Sequence, residues 1–155
     1  MQESDNMANV YPIWWDTTIT IYNKYENPQT QLITWYRTVV EKAFWKLRGD
    51  TVTIGEVNIE TDYTVCRIRK DSRFLERHEW VKIPNDQMSQ YFTLWKGDII
   101  VRGEVEDEIN EYQAGMRHTD LLNKYRELQG CVEIDQIGIN VGPGRCNEHY
   151  FVKGV

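Results

Sequence analysis

The dominant pattern along the chain is an alternation of apolar and polar side chains with period two. Residues 17–23, TTITIYN, place Ile19 and Ile21 on one face and Thr18, Thr20 and Tyr22 on the other, which is how a half-buried strand reads. The run Glu26-Asn27-Pro28-Gln29-Thr30 follows as a turn, because proline fixes φ and brings no ladder donor. Leu32 to Trp45 is again β-rich, with Trp35, Arg37 and Val39 on one face and Tyr36, Thr38 and Val40 on the other. Both faces carry bulk, as expected where a sheet curls on itself. Gly49-Asp50 reads as the next turn, Thr51–Ile54 and Val57–Ile59 as two short strands about Gly55-Glu56, and Tyr63–Ile68 as a further strand.

The alternation stops at residues 69–91, which are charged and lack sustained periodicity. They predict an elaborated loop with one short helical turn through Met88 and Tyr91, capped by Asn85 or Asp86. Gly97-Asp98 precedes a β-branched strand, IIVRGEV, that runs out into the acidic residues Glu104, Glu106, Asp107, Glu108 and Glu111. Leu121, Leu122, Tyr125 and Leu128 then recur at helical spacing opposite Lys124, Arg126 and Glu127. Thr119 or Asp120 would be the N-cap and Gly130 the C′ residue. Val132–Val141, a Gly142-Pro143-Gly144-Arg145 turn and His149–Val155 complete a closing hairpin. The predicted fold is mainly β: an antiparallel barrel or sandwich of seven to eight strands, with one packed amphipathic helix and long loops. Residues 1–16 form an N-terminal arm, and residues 17–155 form one barrel-like domain with insertions at 69–91 and 106–130.

A chain of 155 residues with 41% hydrophobic and 27% charged side chains is long enough for one well-buried domain. Its 18 basic and 24 acidic residues give a net charge of −6, which argues against a protein that grips nucleic acid through a basic face. The start MQESDNMANV is polar and no apolar run approaches the roughly 20 residues of a membrane span, so a soluble product made in a cytoplasm, with no membrane contact, is expected. Cys66, Cys131 and Cys146 are odd in number and irregular in spacing, and read as reduced, mostly buried thiols.

No combination of residues points to catalysis. The acidic run has no apolar neighbours placed to raise one acid's pKa, as a glycosidase requires, and lacks the mid-loop glycine of a calcium loop. Cys146 and His149, with Cys66 or Cys131, would make a zinc set, but no CxxC or HxxxH element supports it. His78, His118 and His149 adjoin no nucleophile motif. The residues therefore predict no enzyme, no metal and no cofactor. The aromatics carry more information. Trp35 and Trp45 read as core, whereas Trp14 and Trp15 are adjacent, point opposite ways on an extended segment, and are both covered only between two surfaces. With Tyr11 they predict an arm that docks on a partner, and Arg73, Phe74 and Leu75 predict a second apolar and cationic patch. Intramolecular packing is the alternative for both groups.

The phrases TTITIYNKYENPQT, WYRTVVEKAFWK, YFTLWKGDIIVRGEV, TDLLNKYRELQG and NEHYFVKGV, spread from Thr17 to Val155, resemble an uncharacterised family of small proteins. These are encoded in the head and head-to-tail connection genes of tailed bacteriophages and prophages of Gram-positive bacteria. The layout is similar to that of phage head-closure, or stopper, proteins, small β-barrels that form a ring beneath the portal. The resemblance implies a virion neck protein present as a ring of six or twelve copies, between a portal or adaptor above and a tail terminator or tail tube protein below. It also implies double-stranded DNA passing without sticking, with Glu104, Glu106, Asp107, Glu108 and Glu111 facing the channel. A tail terminator or tail-completion protein is the alternative in the same class, and a carbohydrate-binding β domain the alternative in another.

Overall fold

The computed structural model describes residues 11–140 and 148–155. Among these, six strands form one closed antiparallel barrel. They are β1 (Thr17–Glu26), β2 (Ile33–Ile54), β3 (Val57–Arg69), β4 (Ile99–Arg102), β5 (Cys131–Asn140) and β6 (His149–Gly154), in the spatial order β1-β2-β3-β6-β5-β4. Two helices and a 3-10 turn are inserted: α1 (Arg77–Trp80), the 3-10 turn Asn85–Gln90 and α2 (His118–Leu128).

The mainly β antiparallel barrel expected from the alternation is present, with fewer and longer strands. Gly49-Asp50 does not turn the chain: Gly49 pairs with Asp62 and Asp50 with Thr61, so the ladder runs unbroken from Phe44↔Arg67 to Ile54↔Val57. The turn is Gly55-Glu56, where Gly55 (φ +65°) supplies the positive φ that a two-residue hairpin loop needs at its first position. The runs predicted as separate short strands merge into β2 and β3, and the strand expected over residues 99–105 ends at Arg102.

Facing alternation sets the core. Ile19, Ile21, Val40, Ile68, Ile100, Val132 and Val152 fill the barrel with Phe92 and Leu94 from the segment that follows the insertion. The intervening residues Tyr22, Trp35, Ile99, Val101 and Cys131 face outward and are covered by Leu121, Leu122 and Tyr125 of α2. This wall is therefore buried on both sides. The register shifts between Thr17↔Ala43 and Ile19↔Val40, and Lys42 takes a left-handed φ of +59° there. One extra residue exchanges the faces of all that follow, so inward-facing positions move from Thr38 and Val40 to Ala43 and Trp45.

α2 begins two or three residues earlier than predicted. Arg117 is its N-cap, and Asp120 sits at the third helical position and accepts the Arg117 N–H at 3.0 Å. Gly130 ends the helix as expected: it is at φ +108°, donates to Tyr125 O at 2.8 Å, and a Cβ there would lie 3.1 Å from the Trp45 ring. Leu128, predicted for the apolar face, is exposed, because the buried stripe stops at Tyr125.

The insertion over residues 69–91 is more ordered than an elaborated loop. Trp80 closes α1 and is fully buried, edge-on to Tyr25 (6.1 Å) and Tyr36 (5.8 Å), with the Arg77 guanidinium 5.2 Å from its ring. The 3-10 turn is preceded by Pro84 as its cap residue, with Asn85 and Asp86 inside the turn. Where the insertion rejoins the barrel, Asn23 donates to Thr93 O (2.7 Å) and to Asp98 Oδ2 (2.8 Å), while the Lys24 N–H donates to Asp98 Oδ1 (2.9 Å). Burial pushes the Asp98 carboxyl up to about 6 against the pull of those donors.

Candidate functional site

The arm expected over residues 1–16 is described from Tyr11 onward, and its first described residues fold back on the barrel. Trp15 is buried, 5.0 Å edge-on to His149 and 6.1 Å from Phe44, and its N–H donates to Pro12 O. Arg69 Nη2 donates to Trp15 O at 3.0 Å, and the Arg69 guanidinium lies over the Tyr11 ring. Tyr11 Oη donates to Glu148 O at 2.7 Å. Two of the three predicted docking residues are thus engaged within the chain. The extended segment expected here is instead a turn over residues 12–15, closed by the Trp15 N–H bond to Pro12 O, and it leaves Trp14 65% exposed.

Arg73, Phe74 and Leu75 do not form an exposed patch. Arg73 is bidentate to Asp71 and donates from Nη1 to Val39 O. Burial works against the Asp71 carboxylate, but the Arg73 hydrogen bonds outweigh it and hold its pKa below the ordinary value. Phe74 stacks on Tyr150 at 4.0 Å, and all three residues are half-buried.

The acidic run divides in two. Glu104, Glu106 and Glu108 are exposed. Between them Val105 is buried and Ile109 packs on the helix-side core, so the segment does have apolar anchors. Tyr22 Oη donates to Asp107 O, Arg37 Nε to Val105 O and Thr20 Oγ1 to Gly103 O, strapping the segment to β1 and β2. The Asp107 side chain accepts from Lys124 Nζ (2.7 Å) and Tyr125 Oη (2.5 Å). Burial opposes its charge, but these donors prevail and lower its pKa. Glu111 meets the His118 N–H at 2.7 Å and Nδ1 at 2.6 Å. Two of the five carboxylates predicted to face a channel are therefore structural ties to α2.

The cysteines weighed as zinc ligands are separated. Cys66 lies in the barrel interior and Cys131 under α2, and burial pushes each thiol up to about 12. Cys146 and the predicted turn at 142–145 fall outside the described residues. Among the described residues only Glu76, His78 and Glu79, all exposed, bring three potential ligand atoms close together. No helix there is long and apolar enough to cross a membrane.

Two other features leave apolar side chains in solvent. The first is the far half of the β2–β3 hairpin. β1 pairs with β2 only as far as Ala43, and β6 pairs with β3 only from Thr64 onward. Among the described residues Leu47–Ile54 and Val57–Tyr63 therefore pair with no strand but each other, and project as a two-stranded ribbon about 25 Å long, with Lys153 Nζ 4.2 Å from the Tyr63 ring at its base. Leu47, Ile54 and Val57 on it are each at least 60% exposed.

The second is a groove of about 450 Å³ between the insertion and the β5–β6 hairpin. Phe74, Leu94, Ile137 and Tyr150 line it beneath half-exposed Trp95 and Ile139. Arg77 and His78 border it. Neither feature is legible as a site in the sequence: the local turn signal of Gly49-Asp50 divides the ribbon, and the groove joins residues from three distant segments.

The chain belongs to a family described as one of unknown function, DUF6751, whose model matches residues 14–155. No curated protein and no solved structure matches it.

Proposed function

We propose that this protein is a structural component of a tailed-phage neck, one subunit of a ring between portal or adaptor and tail that closes the DNA-filled head. One observation carries the reading: a barrel with a filled interior sends out a long ribbon whose outer edges have no strand partner among the described residues and whose Leu47, Ile54 and Val57 side chains stand in solvent. A two-stranded ribbon is marginal in water on its own, and bare strand edges invite pairing with another chain. Such a device suits a protein whose work is assembly. A ring subunit needs two unlike surfaces for its neighbours, and the ribbon and the groove are unlike. The exposed carboxylates of Glu104, Glu106 and Glu108 would repel phosphate if they line the channel. The resemblance of the strand phrases to phage connection proteins supplies the setting, the virion neck.

The test is electron microscopy of particles assembled without this protein. Full heads that leak DNA and lack tails are the expected outcome. Finished heads beside overlong tails would make it a tail terminator instead, and normal infectious particles would remove it from the neck.

A further inference from the structure

The ribbon and the groove are complementary, and we infer that the ribbon tip of one copy seats in the groove of the next, joining copies head to tail. This deepens the proposed ring by naming its joint. The tip is Thr53-Ile54-Gly55-Glu56-Val57-Asn58, where Ile54 and Val57 stand 63% and 60% exposed on either side of Gly55 and Glu56. The groove offers apolar walls to such a pair: Trp95 and Ile139, both half-exposed, over Phe74, Leu94, Ile137 and Tyr150.

Charge complementarity points the same way. Glu76 on the groove border faces His78 at 3.5 Å. Arg77 is left without an ion pair among the described residues, and its Nη1 is buried with no hydrogen-bond partner. Glu56 at the tip is exposed and likewise without an ion pair among them. Seating the tip would bring the exposed Glu56 carboxylate towards the Arg77 guanidinium, which lies over the Trp80 ring and acts on the buried Asp98 carboxylate without a direct ion pair, as apolar side chains leave water.

Topology makes the contact intermolecular. The ribbon leaves the barrel where Thr64 pairs with Gly154, at one end of β6. The groove is lined by Tyr150, near the other end of that strand, about 13 Å away along it. The ribbon projects away from its own groove, so the occupant is a second copy. Each copy then gives one tip and receives one, a heterologous contact that propagates until it closes.

The experiment uses the full chain and two surface variants, Ile54→Asp at the tip and Ile139→Asp in the groove, with self-association followed by sedimentation velocity. Each change should weaken association by roughly thirtyfold or more, while thermal unfolding of the monomer is unchanged. Mixing the two variants leaves one sound tip facing one sound groove, so a dimer and nothing larger should form. An Ile54→Cys chain mixed with an Ile139→Cys chain should give an intermolecular disulfide. Undiminished association of both variants, or a wild-type chain monomeric at its highest soluble concentration and uncrosslinked as the cysteine pair, overturns the inference. Particle assembly is a separate readout. Normal particles without the protein would refute the neck setting and leave the joint standing, whereas association through other residues would refute the joint and leave the neck setting standing.

Discussion

The barrel wall under α2 and the ribbon of β2 and β3 are built from the same kind of alternating strand, yet they meet opposite fates. In the wall, Ile100 faces a packed interior while Ile99 and Val101 face Leu121, Leu122 and Tyr125, and every one of these side chains leaves water. In the ribbon, Leu47, Ile54 and Val57 remain largely in solvent. Alternation alone therefore does not say where stability lies. A second layer does, and among the described residues nothing covers Ile54 and Val57 at the ribbon tip. The ribbon holds its shape by continuing a register fixed in the barrel.

Three measurements would sharpen or break that contrast. The largest effect is expected at Trp80, which is fully buried against Tyr25 and Tyr36. Trp80→Ala should cost about 3–5 kcal/mol in denaturant unfolding, and a loss below about 1 kcal/mol would show that the insertion is not part of the core. Next is the buried carboxyl of Asp98. Its pKa rises from 3.8 to about 6 on folding, so the folded chain holds the proton more tightly than the unfolded one. The stability this contributes is complete below pH 3.8 and gone above about 6. Relative to Asp98→Asn, the wild type should lose on the order of 3 kcal/mol as pH rises through that window. A flat difference between the two would mean that the donors from Lys24 and Asn23 fully offset burial. The smallest effect is expected on the ribbon. Ile54→Thr, measured by denaturant unfolding at dilutions where the chain is monomeric, should change stability by no more than about 0.5 kcal/mol. A larger loss would show that the ribbon packs on its own barrel.

The sequence was most informative where structure depends on neighbours in the chain. The two faces of β1 follow directly from TTITIYN, and Gly130 as the end of α2 follows from the helical spacing before it. It was least informative where the deciding partner is distant. Gly49-Asp50 carries a local turn signal that pairing with Thr61 and Asp62 overrides. Trp80 stands in a charged stretch, and nothing nearby announces Tyr25 and Tyr36, which bury it. Asp107 and Glu111 look like their solvated neighbours until α2 brings Lys124, Tyr125 and His118 against them. Trp15 and Phe74, assigned to outside contacts, find His149 and Tyr150 on β6, the strand most remote in sequence.

The place of β6 between β3 and β5 bears on how the barrel is made during synthesis. A nascent chain that has emerged as far as residue 148 can pair β1 with β2, β2 with β3, and β4 with β1 and β5, but the wall still has a gap one strand wide. Both margins of that gap carry unpaired amides, and the interior side chains of β3 and β5 lack the strand that separates them from water. Closure thus waits for His149–Gly154 to clear the ribosome, and the six-residue strand acts as the latch of the whole fold.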